Sequence, residues 1–445
     1  MTMNNFNAMK NEFDAKAQGR EGVTGSFSNV KNLQRLFFRS LCLCAFALVF
    51  SAAAQAQLAV RGETVWTMTQ NEPIKNGVVL VGADGKIEAV GPESRVKIPS
   101  GYRVINARVV TPGLIDAHTV IGLNGYLNQP HDQMALEQSS PMQPELRAID
   151  AYNADEPLIG WVRSFGVTTI HTGHAPAALI SGQTMIAKTV GKTAEAAALV
   201  PTAMIAVTLG QSALASQGRS PGTRAKQAAM LRAELLKAQE AVRKQSENKN
   251  ASEQKTSVST DLRAEMMQRV IRREIPLLIT AQRAQDISTA LRLAKEFNIR
   301  IILDGAAEAH LLLDEIKASG FPVILHPTMY RAGGELQNLS METASKLKAA
   351  GIPFAIQSGY ETYVPKTRVV LYEAAVAASN GLAFRDALAS ITIDAARILG
   401  LDDRIGSLAP GKDGDIALYD GDPFEYTTHC TGTVIGGRVV SDVVR

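Results

Sequence analysis

The chain has 445 residues, 46% hydrophobic and 20% charged, which excludes a disordered chain and allows one large α/β domain with an attached module, or two to three ordinary domains. Its 46 basic residues barely outnumber 43 acidic ones, so charge gives no reason to expect nucleic acid or an anionic membrane as a partner.

Residues 1–56 have the organisation of a secretory signal with a long polar front. Lys31, Arg35 and Arg39 precede the apolar run 41–50, and Ser51-Ala-Ala-Ala54-Gln55-Ala56 supplies small residues for cleavage. The run is far short of the ~20 residues that span a bilayer, so no membrane association is expected once the signal is removed. The expected location is secreted, in the periplasm. Cys42 and Cys44 fall within this segment, and Cys430 alone remains in the mature chain. An intramolecular disulfide is thereby excluded, and so is a thiolate metal cluster.

From residue 57 to 110 short β-branched runs alternate with turns: 58–60, 77–81, 86–90, 102–105 and 108–110, with Ala83-Asp84-Gly85 as a turn. The tail 401–445 has the same texture, in 415–419, 433–435 and 438–440. Two β-rich ends around a different middle predict one small β-sandwich built from both termini. In the middle, residues 111–400, the strands 166–170, 275–279, 299–303, 322–325 and 352–356 alternate with helical stretches 286–297, 307–318 and 340–350. That is the rhythm of parallel βαβ units and predicts a (β/α)8 barrel with its chemistry on the loops after the strands. Residues 211–273 depart from the rhythm. They are polar and helix-prone, with Leu231, Leu235, Ala238 and Val242 at helical spacing and a Ser/Asn/Lys-rich centre at 245–260. The segment reads as a helical, partly mobile insertion, either a lid or an inert surface addition.

The stretches Val110-Thr-Pro-Gly-Leu-Ile-Asp-Ala-His118, Phe165-Gly-Val-Thr-Thr-Ile170, Ile391-Thr-Ile-Asp-Ala-Ala-Arg-Ile-Leu-Gly400 and Gly406-Ser-Leu-Ala-Pro-Gly-Lys-Asp-Gly-Asp415, in this order and spacing, resemble the amidohydrolase superfamily. The likeness lies with its imidazolonepropionase-like and secreted branch and spans residues 58 to 445. It implies hydrolysis of a non-peptide carbon–nitrogen bond by one or two divalent metals such as zinc, which acidify a bound water and polarise the carbonyl. It also implies the ligands: two histidines after the first strand, a mid-barrel lysine or glutamate, histidines after the fifth and sixth strands, and an aspartate after the last.

Only His118 is present as the resemblance requires. Its partner position holds Val120, the fifth-strand position Thr280, the sixth-strand position lies near Gly305, and the last falls at Gly359. A register slip of one would offer Asp304. Valine and glycine have no donor atom, and one histidine does not hold zinc. A rearranged metal or acid–base site could draw on His118, His171, His174 and His326, and the loop after the first strand adds His131-Asp132. Tyr330, Arg331, Tyr360 and Glu361, with Tyr363, are candidates for substrate binding, and Lys188 reads as structural. Two functions stay open: a hydrolase with a degenerate metal site, and an inactive binding subunit, or partner of a homologous chain, that uses the barrel mouth as a small-molecule pocket.

Overall fold

A computed structural model describes residues 57–127, 129–215, 218–249, 261–326, 328, 332–360 and 369–445. The signal-like segment 1–56, the centre of the polar helical stretch at 250–260, and Tyr330, Arg331, Glu361 and Tyr363 lie outside the described residues. Among the described residues no helix is long and apolar enough to cross a membrane.

In chain order the strands are β1 (Leu58–Val65), β2 (Ile74–Val81), β3 (Ile87–Pro92), β4 (Arg103–Pro112), β5 (Leu114–Thr119), β6 (Val167–Thr172), β7 (Ile180–Gln183), β8 (Met185–Lys188), β9 (Ala198–Val200) and β10 (Ile205–Leu209). They continue with β11 (Leu277–Ala281), β12 (Ile301–Gly305), β13 (Val323–Leu325), β14 (Phe354–Ile356), β15 (Ile416–Tyr419), β16 (Cys430–Ile435) and β17 (Arg438–Ser441). They form mixed sheets beside helices, an α/β architecture. A seven-stranded sheet takes strands from both ends of the described chain in the order β17-β16-β15-β4-β1-β2-β3. Its core is Val60, Val79, Val81, Val110, Ile416, Leu418 and Val434. The two-residue periodicity of β1 and β2 turns these side chains to one face.

Gly113 joins this sheet to the next element, β5. A Cβ there would lie 2.3 Å from the Thr168 side chain, so only glycine lets the chain pass from one sheet to the other. Strand β5 begins a four-stranded sheet, β5-β6-β8-β9, and a six-stranded sheet follows in the order β14-β13-β12-β11-β10-β7. From β10 to β14 all neighbours are parallel. Strands β7 and β8, separated only by Thr184, run antiparallel to β10 and to β6 respectively. The last strand returns to the first: Thr119 forms a parallel bridge with Gly359, whose N–H donates to the His118 carbonyl at 3.2 Å.

Nine helices carry labels here: α1 (Pro157–Arg163), α2 (Arg224–Lys249), α3 (Leu262–Ile271), α4 (Ala284–Phe297), α5 (Leu313–Ser319), α6 (Thr343–Ala350), α7 (Val370–Ser379), α8 (Phe384–Ser390) and α9 (Ile393–Ile398). Helix α4 starts two residues before the sequence predicts and buries Ile287, Ala290, Leu293, Ala294 and Phe297 on one stripe. The polar stretch read as an insertion is placed differently. Helices α2 and α3 form the connection between the parallel neighbours β10 and β11, and they bury Leu231, Leu235, Ala238, Met266, Met267 and Val270 in the main core. Ion pairs Arg232–Glu296 and Arg263–Glu234 tie α2 to α4 and to α3. A parallel pair needs such a crossover, so these helices are part of the repeat.

Lys188, at the end of β8, is nine-tenths buried and pairs with Asp413 at 3.1 Å and with Asp415. Asp413 also receives Lys86 at 2.6 Å and Arg404 at 2.9 Å. The structural role expected for Lys188 is therefore visible as a charge lock between β8 and the tail that supplies β15. Cys430 is buried on β16, and burial pushes its thiol up to about 11. An intermolecular disulfide would need this buried thiol to be exposed first.

Candidate active site

The strands that form the six-stranded sheet are buried on both faces, and their two faces do different things. Leu278, Ile302, Ile324 and Ala355 share an apolar cluster with Ile115, Ala117 and Ile186 of the other sheet. Two residues further along, on the same face by the strand period, come Thr280, Asp304, His326 and Gln357. With His118 from β5 these side chains line a cavity of about 550 Å³ at the ends of the strands.

Asp304 is the hub. Its Oδ1 accepts from His118 Nδ1 at 2.8 Å and from Gln357 Nε2 at 2.7 Å, and its Oδ2 accepts from the Thr280 hydroxyl at 2.5 Å. Three donors on one buried carboxylate hold it ionised. Burial works to raise the Asp304 pKa, but His118 and the other donors outweigh it and hold the group below the usual carboxylate range. The ionised oxygen can only accept, so the proton of His118 sits on Nδ1. Burial would depress the His118 imidazole, yet Asp304 and, further off, Asp116 win and raise it above an ordinary histidine. The other ring nitrogen, Nε2, is buried without a hydrogen-bond partner.

Asp116 fixes the floor from behind. It accepts from the Ser358 N–H at 2.9 Å and from the Ser358 hydroxyl, which joins β5 to the residues after β14. Burial raises it to about 6 against those bonds. Gly359 has φ +75°, and a Cβ there would stand 2.5 Å from the His326 ring, so its backbone makes room for that imidazole.

The other candidates are placed as follows. Tyr360 lines the cavity. His171 does not: its Nδ1 donates to the Ala117 carbonyl at 2.7 Å and its Nε2 accepts from the Thr184 hydroxyl at 2.7 Å. Both nitrogens are occupied, and burial together with the nearby His118 lowers its pKa to about 3. His174 is buried against Gly182, away from the cavity. His131 is exposed beside Asp132 in a turn and does not line it either. The set of His118, His171, His174 and His326 as joint ligands is thus not assembled: two of the four face the cavity. Asp304 fills the sixth-strand place expected near Gly305, and Gln357 reaches inward where an aspartate was expected at Gly359. Gln282, Glu335 and Ser212, which the sequence did not single out, also line the cavity, with Glu335 held by Arg224 at 2.5 Å. Among the described residues no three His, Cys, Asp or Glu side chains are grouped to hold a metal ion.

A model of the Amidohydrolase family matches residues 346–441. An amidohydrolase, tasK, of Hapsidospora irregularis is 25% identical over 82% of this chain, which spans only 41% of that protein's length. An imidazolonepropionase of Paracoccus denitrificans is 25% identical over 78% of this chain and 88% of its own. The crystal structure of an amidohydrolase from Thermotoga maritima superposes with a TM-score of 0.81 at 28% identity, covering 87% of this chain and all of that one. The family model, the relatives and the superposition all support the amidohydrolase superfamily. His118 stands near the end of β5, within the cavity.

Proposed function

We propose that this chain is an exported amidohydrolase-superfamily protein whose mouth holds a small organic molecule without the superfamily's divalent metal. One observation carries the reading. The Asp304 carboxylate is committed to His118, Thr280 and Gln357, which leaves two imidazoles, His118 and His326, as nitrogen donors to the cavity among the described residues. Protein zinc sites use three or four ligands, and valine at 120 contributes none, so the donor set does not fit the metal centre that the resemblance implies. The concave shape and the mix of apolar and neutral polar walls suit a small molecule.

The finer architecture belongs to the same proposal: a (β/α)8 barrel in which β7 and β8 together take the third place, closed by the Thr119–Gly359 bridge, beside a module composed from both ends. The Thermotoga superposition and the sheet orders support it. Export to the periplasm rests on the pattern Lys31 to Ala56 alone, and pairing with a homologous subunit is a further expectation of the same reading.

A second reading keeps hydrolysis of a non-peptide carbon–nitrogen bond. It is favoured by the His118–Asp304 pair, where a carboxylate fixes the imidazole and leaves the buried Nε2 without a hydrogen-bond partner, an arrangement suited to moving a proton. Metal content after dialysis against a weak chelator and reconstitution with zinc decides the first point. Less than one-tenth equivalent supports the proposal, and a full equivalent lost on His118→Ala overturns it. Turnover of simple amides and cyclic amides by the metal-free protein, abolished by His118→Ala, would establish the second reading.

A further inference from the structure

The near balance of charge over the whole chain conceals a strong local imbalance. Residues 224–300 hold 16 basic and nine acidic side chains, whereas the rest of the chain from residue 57 holds 24 and 31. The basic stretch is one structural unit: α2, α3 and α4, tied together by Arg232–Glu296 and Arg263–Glu234, with Arg300 just ahead of β12. The excess is sharpest where α3 ends. Arg269 and Arg272 donate to the Glu274 carboxylate at 3.3 and 2.9 Å, and Arg300 donates to the Glu274 carbonyl at 2.7 Å. Arg273 donates to the Asn298 carbonyl at 3.0 Å and to its side-chain oxygen at 2.7 Å. Glu274 is the one carboxylate paired with these four guanidiniums among the described residues. The half-charge at a helix C-terminus is met by a single cation, so four exceed what the end of α3 needs.

Arg273 is costly where it stands. It closes α3 with φ +61°, its N–H donating to the Val270 carbonyl at 2.9 Å, in a left-handed conformation that glycine ordinarily fills. An arginine kept there holds its guanidinium at the surface with Arg272 and Arg300, all three exposed. Strain retained at such a position points to a use for the side chain.

Beside the cluster the surface turns apolar. Ile271, next to Arg272 in the chain, lines a shallow groove with Leu236 and Val242 of α2, and Lys237 and Arg243 line the same groove. Leu236 is 51% exposed, and Leu262 at the start of α3 is 63% exposed. Apolar side chains set among long cations suit the headgroup layer of a bilayer, where leucines enter the acyl boundary while lysine and arginine reach lipid phosphates. Nucleic acid fits less well. Its phosphates make no use of exposed leucines, and Phe297, the single aromatic residue of 224–300, is buried and can stack on no base.

We propose that this face, α2 and α3 with Arg300, docks the protein on a bilayer surface rich in anionic phospholipid. Glu274 and Arg300 precede β11 and β12, whereas Thr280 and Asp304 lie at the far ends of those strands in the cavity, so the docked chain keeps its cavity turned away from the lipid. The contact is peripheral and independent of metal content and of turnover.

The test uses the mature chain, residues 57–445, which holds every strand and helix described and leaves out the basic and apolar run of the signal-like segment. It is co-sedimented with vesicles of phosphatidylcholine alone, and of phosphatidylcholine with about one-third phosphatidylglycerol, at low and high salt. The expected result is binding at least about tenfold tighter to the anionic vesicles, and weakened at least about tenfold by the higher salt. Arg272→Gln with Arg273→Gly, where glycine suits the backbone, is expected to weaken it at least about fivefold with urea denaturation unchanged. Arg95→Gln with Lys97→Gln removes the same charge from exposed positions after β3 and is expected to change binding by less than about twofold. Leu262→Ser is expected to weaken binding about threefold at both salts. Equal binding to the two vesicle types or equal loss from the two double variants overturns the proposal. So does a duplex oligonucleotide bound as tightly as the anionic vesicles, with Leu262→Ser affecting neither, which would make the face a general polyanion site.

Discussion

Two buried polar clusters lie at different places on the strands, and they are finished differently. Around Lys188 the charges close on one another: Asp413 and Asp415 take up Lys188, Lys86 and Arg404, and the Gly436 N–H completes Asp415 at 3.0 Å. Around Asp304 the carboxylate is just as full, but its imidazole partner lines a cavity and ends in a buried nitrogen with no hydrogen-bond partner. A buried group that needs nothing more is holding the fold together. One that is held firmly and left incomplete is available to a ligand.

The contrast can be broken most severely at Lys188. Lys188→Met leaves buried Asp415 without its ion-pair partner, while Asp413 keeps Lys86 and Arg404, and the loss of one partner from a buried ion pair costs about 3–5 kcal/mol. Urea denaturation should show that loss, and Lys188→Met combined with Asp415→Leu should recover part of it. A double variant no better than the single one would show that the lock is not a coupled unit.

Asp304→Asn should cost less, about 1–3 kcal/mol, since shape and most hydrogen bonds survive. Its sharper effect is on His118, whose ring should titrate at lower pH than in the parent by NMR. An unchanged titration would separate the two groups.

Smaller again is the pH dependence set by His171. Its imidazole stays neutral in the folded chain down to about 3, against 6.5 for an ordinary histidine. Between those values the unfolded chain binds a proton that the folded one does not, so stability falls as pH falls through that window. From pH 7 to 5 this group should remove about 2 kcal/mol, at ~1.4 kcal/mol per pH unit below 6.5. His171→Gln should flatten the slope measured by denaturation at the two pH values. His118, with its pKa raised, works in the opposite sense: its contribution is full below about 6.5 and is lost as pH rises through the folded value. Smallest of all, Arg219→Gln should leave stability within about 0.5 kcal/mol, as expected of an exposed side chain in no ion pair.

Much of this was readable in advance. The runs at 275–279, 299–303, 322–325 and 352–356 are strands within one or two residues, and His118 near the end of β5 does face the cavity. Two things were not. Ile205-Ala-Val-Thr-Leu209 is a β-branched run between Pro201 and Gly210, and without it as a strand the helices that follow lose their role as a crossover. The facing of Asp304 and Gln357 was hidden for a different reason. A strand apolar on both faces has no alternation to fix which residue points inward, and a shift of one exchanges the faces. The hydrogen bonds to Asp304 resolve the choice.

The place of β4 in the seven-stranded sheet has a consequence for how the protein is made. It pairs with β1 on one side and with β15, more than three hundred residues later, on the other. During synthesis the early strands therefore wait with one bare edge until the tail arrives, and pairings so distant in sequence form slowly. A chain stopped short of residue 416 would keep its cavity residues in full and still present an unprotected strand to its neighbours, so loss of the tail would be felt first as aggregation.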